Sequence, residues 1–479
     1  MNASVTEIRN YIEGAWRAGA ETFAVLNPAT REELALVAQS TAEDVDAAVT
    51  AADAAFASWR YTTPFERAEI LRCVADIVDR REDELSLAIT QEMGKTLAES
   101  HGEVQKLAQA FRFYAEEAVR VMGEIVPNDS LDVTSLVSYE PVGVVGAITP
   151  WNYPLELIGW KLCAALGAGA TIVVKPSEFS TVSAALLFEC LDEAGVPAGV
   201  ANLIYGRAVG PQLVGHPLVS KIAFTGSTQT GNRIAKSVHH AIPLSMELGG
   251  TCPMIVTEHA DVAKAAAGAA RRGFRNAGQI CIAINRIYVH RSNYEEFLTL
   301  LAEAVDKLRV GDGSQADIDM GPLANEEGQR KAQAHIDDAV ARGARVLTVN
   351  RAVPDAGYFV VPTVLGDCTS EMLVMREETF GPIVGVTPVD SLDEAIDLAN
   401  RRDSGLAAYA YTENLREVHR LSARLDYGNV AINNPDPGIM NAPYGGRKGS
   451  GFGYEHGAEG LHGYLQIKHT RIHHGAAGS

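Results

Sequence analysis

From Val142 onward the apolar residues fall into short blocks separated by longer amphipathic stretches. Val142–Ile148 reads as a buried strand, Pro154–Leu166 as a helix, Thr171–Val174 as a strand and Val182–Ala194 as a helix. The alternation continues through a strand at Ala201–Ile204, a helix at Val209–Val214, a strand at Lys221–Phe224 and a helix at Gly226–Val238. Strands alternating with helices predict a parallel sheet covered on both faces. After Glu247 the pattern restarts, with strands near 253–256 and 286–290 and helices from 261 and 292, which predicts a second α/β domain. The first 126 residues read mainly as helix. Thr41-Ala42-Glu43-Asp44 is a helix start running on to Trp59, and further helical stretches fill roughly 64–92 and 98–122. Segments 127–141 and 461–474 fit neither domain. Leu131–Tyr139 alternates like a strand, so these segments are expected to pair outside the main sheets.

A chain of 479 residues is long enough for two or three domains. Its net charge of -19 argues against a nucleic-acid partner, because phosphate binding needs clustered Lys and Arg. The residues after Met1 carry no basic or apolar leader pattern, and no apolar run is long enough for a membrane span. Cys73, Cys163, Cys190, Cys252, Cys281 and Cys368 are scattered with no CxxC pair, which favours a reducing cytoplasm over a disulfide framework or a zinc site. His469 and His473 stand four apart, a spacing that would pair them on a helix, but with no third ligand nearby a solvated tail is the simpler reading and no metal is expected. Gly475–Ser479 is expected to fray.

Five short motifs carry candidate chemistry. Cys281 follows Asn276-Ala277-Gly278 on a small-residue loop, where a thiol serves either as a nucleophile or as a packed small hydrophobe. Glu247 ends an apolar stretch and precedes Gly249-Gly250, so it is either a general base with room beside it or a surface carboxylate before a turn. Pro150-Trp151-Asn152-Tyr153-Pro154 opens a helix, where the Asn152 amide can donate to an oxyanion or simply shape a turn. Phe224-Thr225-Gly226-Ser227-Thr228-Gln229-Thr230-Gly231 joins a strand to a helix, a place where backbone amides cradle phosphate, although neither standard nucleotide fingerprint applies. Lys175-Pro176-Ser177-Glu178 lies just past another strand, where open α/β sheets bind ligands.

Together these motifs resemble the aldehyde dehydrogenase superfamily. Asn27-Pro28-Ala29-Thr30, Glu377-Glu378-Thr379-Phe380-Gly381-Pro382 and Pro443-Tyr444-Gly445-Gly446-Arg447-Lys448-Gly449-Ser450-Gly451 extend the resemblance over nearly the whole chain, in family order. The resemblance implies a parallel-sheet dinucleotide-binding domain (1–126 and 142–249), an α/β catalytic domain (250–460) and a small β oligomerisation element (127–141 and 461–479). It implies Cys281 as nucleophile, Asn152 with the Cys281 N–H as oxyanion hole, and Glu247 as activator of the water that hydrolyses a thioester. For the cofactor it implies Lys175 and Glu178 at the adenosine ribose, Ser227 at the pyrophosphate, Glu378 at the nicotinamide ribose and Phe380 beside the nicotinamide, with Trp151 also among the cofactor-binding residues. Lys161 and Glu455 match positions thought to relay protons or shape the site.

The same resemblance places Tyr153, Leu157, Trp160, Ile280 and Ile282 along the substrate tunnel. Succinate-semialdehyde enzymes typically carry Arg where Trp160 stands, so a neutral aldehyde, or a cationic one stacked on Trp160 and Tyr153, is expected instead. Pro150–Pro154 and Trp160 also look like the betaine-aldehyde branch. Glu178 favours NAD over NADP, since a carboxylate accepts a 2′-hydroxyl and repels a 2′-phosphate. A homodimer or homotetramer is expected. The competing readings are a coenzyme A-acylating semialdehyde dehydrogenase, whose members lack the residue matching Glu247, and a catalytically inactive relative.

Overall fold

The computed structural model describes residues 6–238, 241–349 and 352–475. Two large sheets dominate. The first has eight strands, ordered Gly451–Phe452, Leu244–Leu248, Val219–Gly226, Val144–Ile148, Thr171–Lys175, Ala201–Leu203, Asn10–Ile12 and Ala15–Arg17. Its five central strands are parallel and its edges antiparallel. The second has seven strands, from Arg345–Val346 through Thr363–Gly366, Ile383–Val389, Ile284–His290, Cys252–Val256 and Ala407–Tyr411 to Asn429–Ile432, parallel apart from the first. This is the expected α/β class, with each parallel ladder returning through a helix.

Helix starts follow the capping logic of the sequence. Thr41 accepts from the Asp44 N–H and Asp44 bonds back to Thr41, so the helix runs Ala42–Trp59, as its start signal predicts. The same box recurs at Thr63 and Thr96, before Pro64–Arg80 and Leu97–Ala118, while Glu82–Met93 ends on left-handed Gly94.

Residues 6–40 correct the helical reading. They form five strands, including a three-stranded sheet of Thr6–Ile8, Glu33–Gln39 and Glu21–Leu26. Asn10–Ile12 and Ala15–Arg17 are a hairpin whose two turn residues, Glu13 and Gly14, have φ of 56° and 76°, the left-handed pair that a tight two-residue turn needs. Strands of three residues are too short to show a period, and Ala and Glu in 33–39 imitate a helix.

Segments 127–141 and 461–474 do pair with each other. Val133–Pro141 and Leu465–His473 run antiparallel over nine residues, with Glu124–Val126 as a third strand. His469 and His473 therefore lie on a strand, where four residues span roughly 13 Å, too far to share an ion. Of the tail expected to fray, 476–479 lie outside the described residues. No helix among the described residues is long and apolar enough to cross a membrane.

Candidate active site

The carboxyl ends of the first sheet's parallel strands place the site. Thr149–Asn152 follows Val144–Ile148, Lys175 ends Thr171–Lys175, Ser227 follows Val219–Gly226, and Glu247 closes Leu244–Leu248. The loop holding Cys281 comes from the second sheet's side and meets them. After the helix Val262–Phe274, residues Asn276, Ala277 and Gly278 take φ of 49°, 52° and 72°. For Ala277 this conformation costs roughly 1–2 kcal/mol, so the surroundings must impose it. They do. Glu99 accepts the Asn276 N–H at 2.7 Å, and Asn276 Nδ2 donates to the carbonyls of Asn152 (3.0 Å) and Gln279 (3.2 Å). Gly278 is obligatory, since a Cβ would stand 2.1 Å from the Gly381 carbonyl oxygen. Beyond the thiol, the Cys281 carbonyl accepts from Cys252 at 3.3 Å and the Ile282 carbonyl from Tyr409 at 2.6 Å.

Asn152 is buried and donates one amide proton to the Gln279 carbonyl at 3.0 Å, which fixes the side chain and leaves its second N–H available. Both Glu247 carboxyl oxygens are buried without a partner. Burial pushes this carboxyl well above the usual range, Glu455 pushes it further and Lys161 opposes. Lys161 donates to Thr225 Oγ1 at 2.6 Å and is ion-paired with Glu455. Burial also pushes the Cys281 thiol up to about 12, against a hydrogen bond with the Tyr444 hydroxyl at 3.5 Å and reinforced by Glu378, Glu247 and Glu455. The sequence reading gives Tyr444 no role, although it lies inside one of the family motifs.

Two cavities meet at Cys281. The larger, about 1240 Å³ with its mouth, contains Trp151, Asn152, Ser227, Glu247, Glu378 and Phe380. Leu157 and Trp160 line both cavities. Ser227 caps the ten-residue helix Thr228–Ser237 by accepting from the Thr230 N–H, so free helix-start amides face this end. Glu378 accepts from the Gly250 N–H at 3.3 Å, and burial pushes it up to about 7. A Cβ on Gly249 would reach within 2.4 Å of Glu378 Oε2, so only glycine admits that carboxylate. Phe380, at φ 55°, stands edge-on to Trp151 with centroids 5.6 Å apart. Helix-start amides for a pyrophosphate, a carboxylate for a ribose and a flat aromatic wall suit a dinucleotide. Lys175 and Glu178 do not line this cavity; they lie at the neighbouring strand's end, where Glu178 is ion-paired with Arg207.

The smaller cavity, about 610 Å³, is walled by Tyr153, Leu157, Trp160, Ile280 and Ile282. Trp160 meets His456 edge-on at 4.2 Å, and Lys95 Nζ lies 3.7 Å above the Tyr153 ring from behind. It also holds charges that the sequence reading missed. Lys106 pairs with Glu156 at 3.3 Å, and Arg272 pairs with Asp436. That leaves the Arg275 guanidinium, half-buried on the wall, with no hydrogen bond or ion pair of its own among the described residues, although the charges of Glu99, Glu156 and Asp436 act on it. Its position directly before Asn276 is the one signal that was available.

Residues 16–470 match the model of the aldehyde dehydrogenase family. The chain is 41% identical over 472 residues to a 3-sulfolactaldehyde dehydrogenase of Pseudomonas putida, covering 98% of this chain and 97% of that protein. It is 42% identical over 456 residues to a probable NADP(+) succinate-semialdehyde dehydrogenase of Sinorhizobium fredii, covering 94% and 93%. Its structure superposes on betaine aldehyde dehydrogenase from Staphylococcus aureus in complex with NAD+ with a TM-score of 0.95 at 36% identity, covering 98% of this chain and 95% of that one.

Proposed function

The chain belongs to the aldehyde dehydrogenase family, an NAD(P)-dependent oxidoreductase that converts an aldehyde to a carboxylate, and on that premise we propose that it works through a thioester on Cys281. The observation that carries this reading is the rigid Cys281 loop, joined through Gln279 to the Asn152 amide, at the junction of two cavities. The thiolate adds to the aldehyde carbon, and the oxyanion that forms is stabilised by the free Asn152 N–H and the Cys281 backbone N–H. The bound NAD(P) supplies the acceptor for the two-electron hydride. Glu247, with no competing hydrogen bond, removes a proton from water; the water attacks the thioester carbon, the C–S bond breaks, and carboxylate and thiolate separate. A base beside the thioester favours water over coenzyme A as acceptor. Cys281→Ala should abolish turnover, by at least roughly 10⁴-fold, while nicotinamide-nucleotide binding persists. Measurable NAD(P)H formation by the purified variant would remove Cys281 from the mechanism.

We assign the cofactor to the larger cavity and the first sheet, and the aldehyde to the smaller one. The charges revise the expected substrate. With Lys106 and Arg272 neutralised by Glu156 and Asp436, Arg275 leaves the smaller cavity one positive charge in excess, which suits an aldehyde bearing a distal carboxylate or sulfonate. The two curated relatives named above act on aldehydes of that kind. Trp160 then bounds the tunnel rather than anchoring the acid. Exposed Ile125, Leu131, Ile467 and Ile472 around the three-stranded antiparallel sheet support a homo-oligomer built through it. Six free cysteines are in keeping with a reducing cytoplasm.

A further inference from the structure

The helix Pro154–Ala168 follows almost directly on Asn152, yet Tyr153 at its cap position offers the first turn no side-chain hydrogen bond. The missing acceptor comes from another helix. Glu103, on Leu97–Ala118, takes the Leu155 N–H at 2.8 Å and the Glu156 N–H at 3.1 Å on one carboxylate oxygen, and its other oxygen is paired with Lys95. Neither side chain of that pair is exposed to solvent. One turn earlier on the same helix stands Glu99. One of its oxygens closes the capping box on Thr96, and the other accepts the Asn276 N–H at 2.7 Å. Residues four apart share a helix face, roughly 6 Å apart along the axis. A single helical turn therefore grips both the segment that presents Asn152 and the loop that presents Cys281. That turn is itself locked: the Leu97 N–H donates to the Gly313 carbonyl at 2.9 Å, and a Cβ on Gly321 would stand 1.8 Å from the Gly94 carbonyl oxygen.

We propose that Glu99 and Glu103 are positioning residues for the reaction, together setting the Asn152 amide against the Cys281 thiol. This rests on Asn152 and Cys281 having the roles proposed above. Neither carboxylate lines either cavity, so both act through the backbone they hold. The need for a brace follows from the architecture. Asn152 and Cys281 arrive from the sides of different sheets, and an oxyanion donor works only where the charge develops. A displacement of about 1 Å is enough to cost roughly a hundredfold in rate.

Steady-state kinetics of full-length variants test this. Removing one member of the buried pair would leave the other charge unpaired, so Lys95→Met accompanies both changes at Glu103. Lys95→Met/Glu103→Leu, which removes the acceptor, should lower kcat by roughly ten- to a hundredfold, and so should Glu99→Ala. Lys95→Met/Glu103→Gln keeps an acceptor for the Leu155 and Glu156 amides and should stay within about threefold of the wild type. Thr63→Ala removes a cap from Pro64–Arg80, far from the site, and should lower Tm while leaving kcat unchanged. In an Asn152→Ala background, Glu99→Ala and Lys95→Met/Glu103→Leu should each cost less than about threefold more, because groups acting through one another are not additive. Undiminished losses in that background, a Gln variant as slow as the Leu variant, or no loss in either Glu99→Ala or the Leu variant would overturn the proposal and leave Asn152 its role. An Asn152→Ala enzyme as fast as the wild type would overturn the oxyanion assignment and this inference with it.

Discussion

The two cavities that meet at Cys281 are built in different ways. The larger takes Asn152, Ser227 and Glu247 from strand ends of the first sheet, each on, or within a few residues of, a strand that fixes it, and Glu378 and Phe380 from one short motif before Ile383–Val389. The smaller is assembled from distant parts. Lys106 comes from the helix Leu97–Ala118, Glu156 and Trp160 from Pro154–Ala168, Arg275 from the loop before Cys281, and Asp436 and His456 from beyond the last strand of the second sheet. Chemistry shared by a family is held by local backbone geometry, whereas selection among substrates depends on side chains that only tertiary packing brings together.

That contrast can be broken at either cavity. Glu247→Gln should permit one stoichiometric burst of NAD(P)H and then slow steady turnover by roughly 10²–10⁴-fold, the range of a lost general base. Rapid-mixing absorbance resolves the two phases; loss of the burst itself would move Glu247 to an earlier step. Asn152→Ala should lower kcat by roughly 10²–10³-fold for every aldehyde tested, as removal of one oxyanion donor does. A loss below threefold would reduce Asn152 to the anchor of the Gln279 carbonyl seen in the fold.

Changes in the smaller cavity should instead depend on the substrate. Arg275→Met should reduce kcat/KM for succinic semialdehyde relative to butanal by roughly ten- to a hundredfold, the worth of one charge-assisted contact. An equal loss with both aldehydes would show Arg275 supporting the loop rather than reading the acid. The last test is with pH. Burial raises the Cys281 thiol to about 12 and also raises the Glu247 carboxyl, and both groups act only when deprotonated, so kcat/KM should climb as pH rises from about 6 to about 9, by no more than roughly tenfold per unit. A flat profile over that range would mean that neither ionisation limits the enzyme.

The same contrast explains how far the site was legible. The strand-to-motif junctions at Asn152, Lys175, Ser227 and Glu247 were readable because a buried parallel strand announces itself as an apolar run, and the sheet then places the residues at its carboxyl end. Cys281 was readable as a motif, but not the three consecutive left-handed residues that present it, since Ala277 takes that conformation only under contacts from Glu99, Asn152 and Gly381. The strands before Gln39 were missed because most of them are too short for any periodicity to show.

The sequence by itself determined the alternating α/β plan, the capped helices after Thr41, Thr63 and Thr96, and the motifs that hold the candidate reacting groups, because each depends on residues within a few positions of one another. Only the tertiary structure decided that Arg207 pairs with Glu178, that Tyr444 reaches the Cys281 thiol, and that the Arg275 guanidinium lines the smaller cavity with no ion pair among the described residues. Those are balances of charge and hydrogen bonding between segments 29 to 163 residues apart in the chain, and no local pattern encodes which partner a side chain meets.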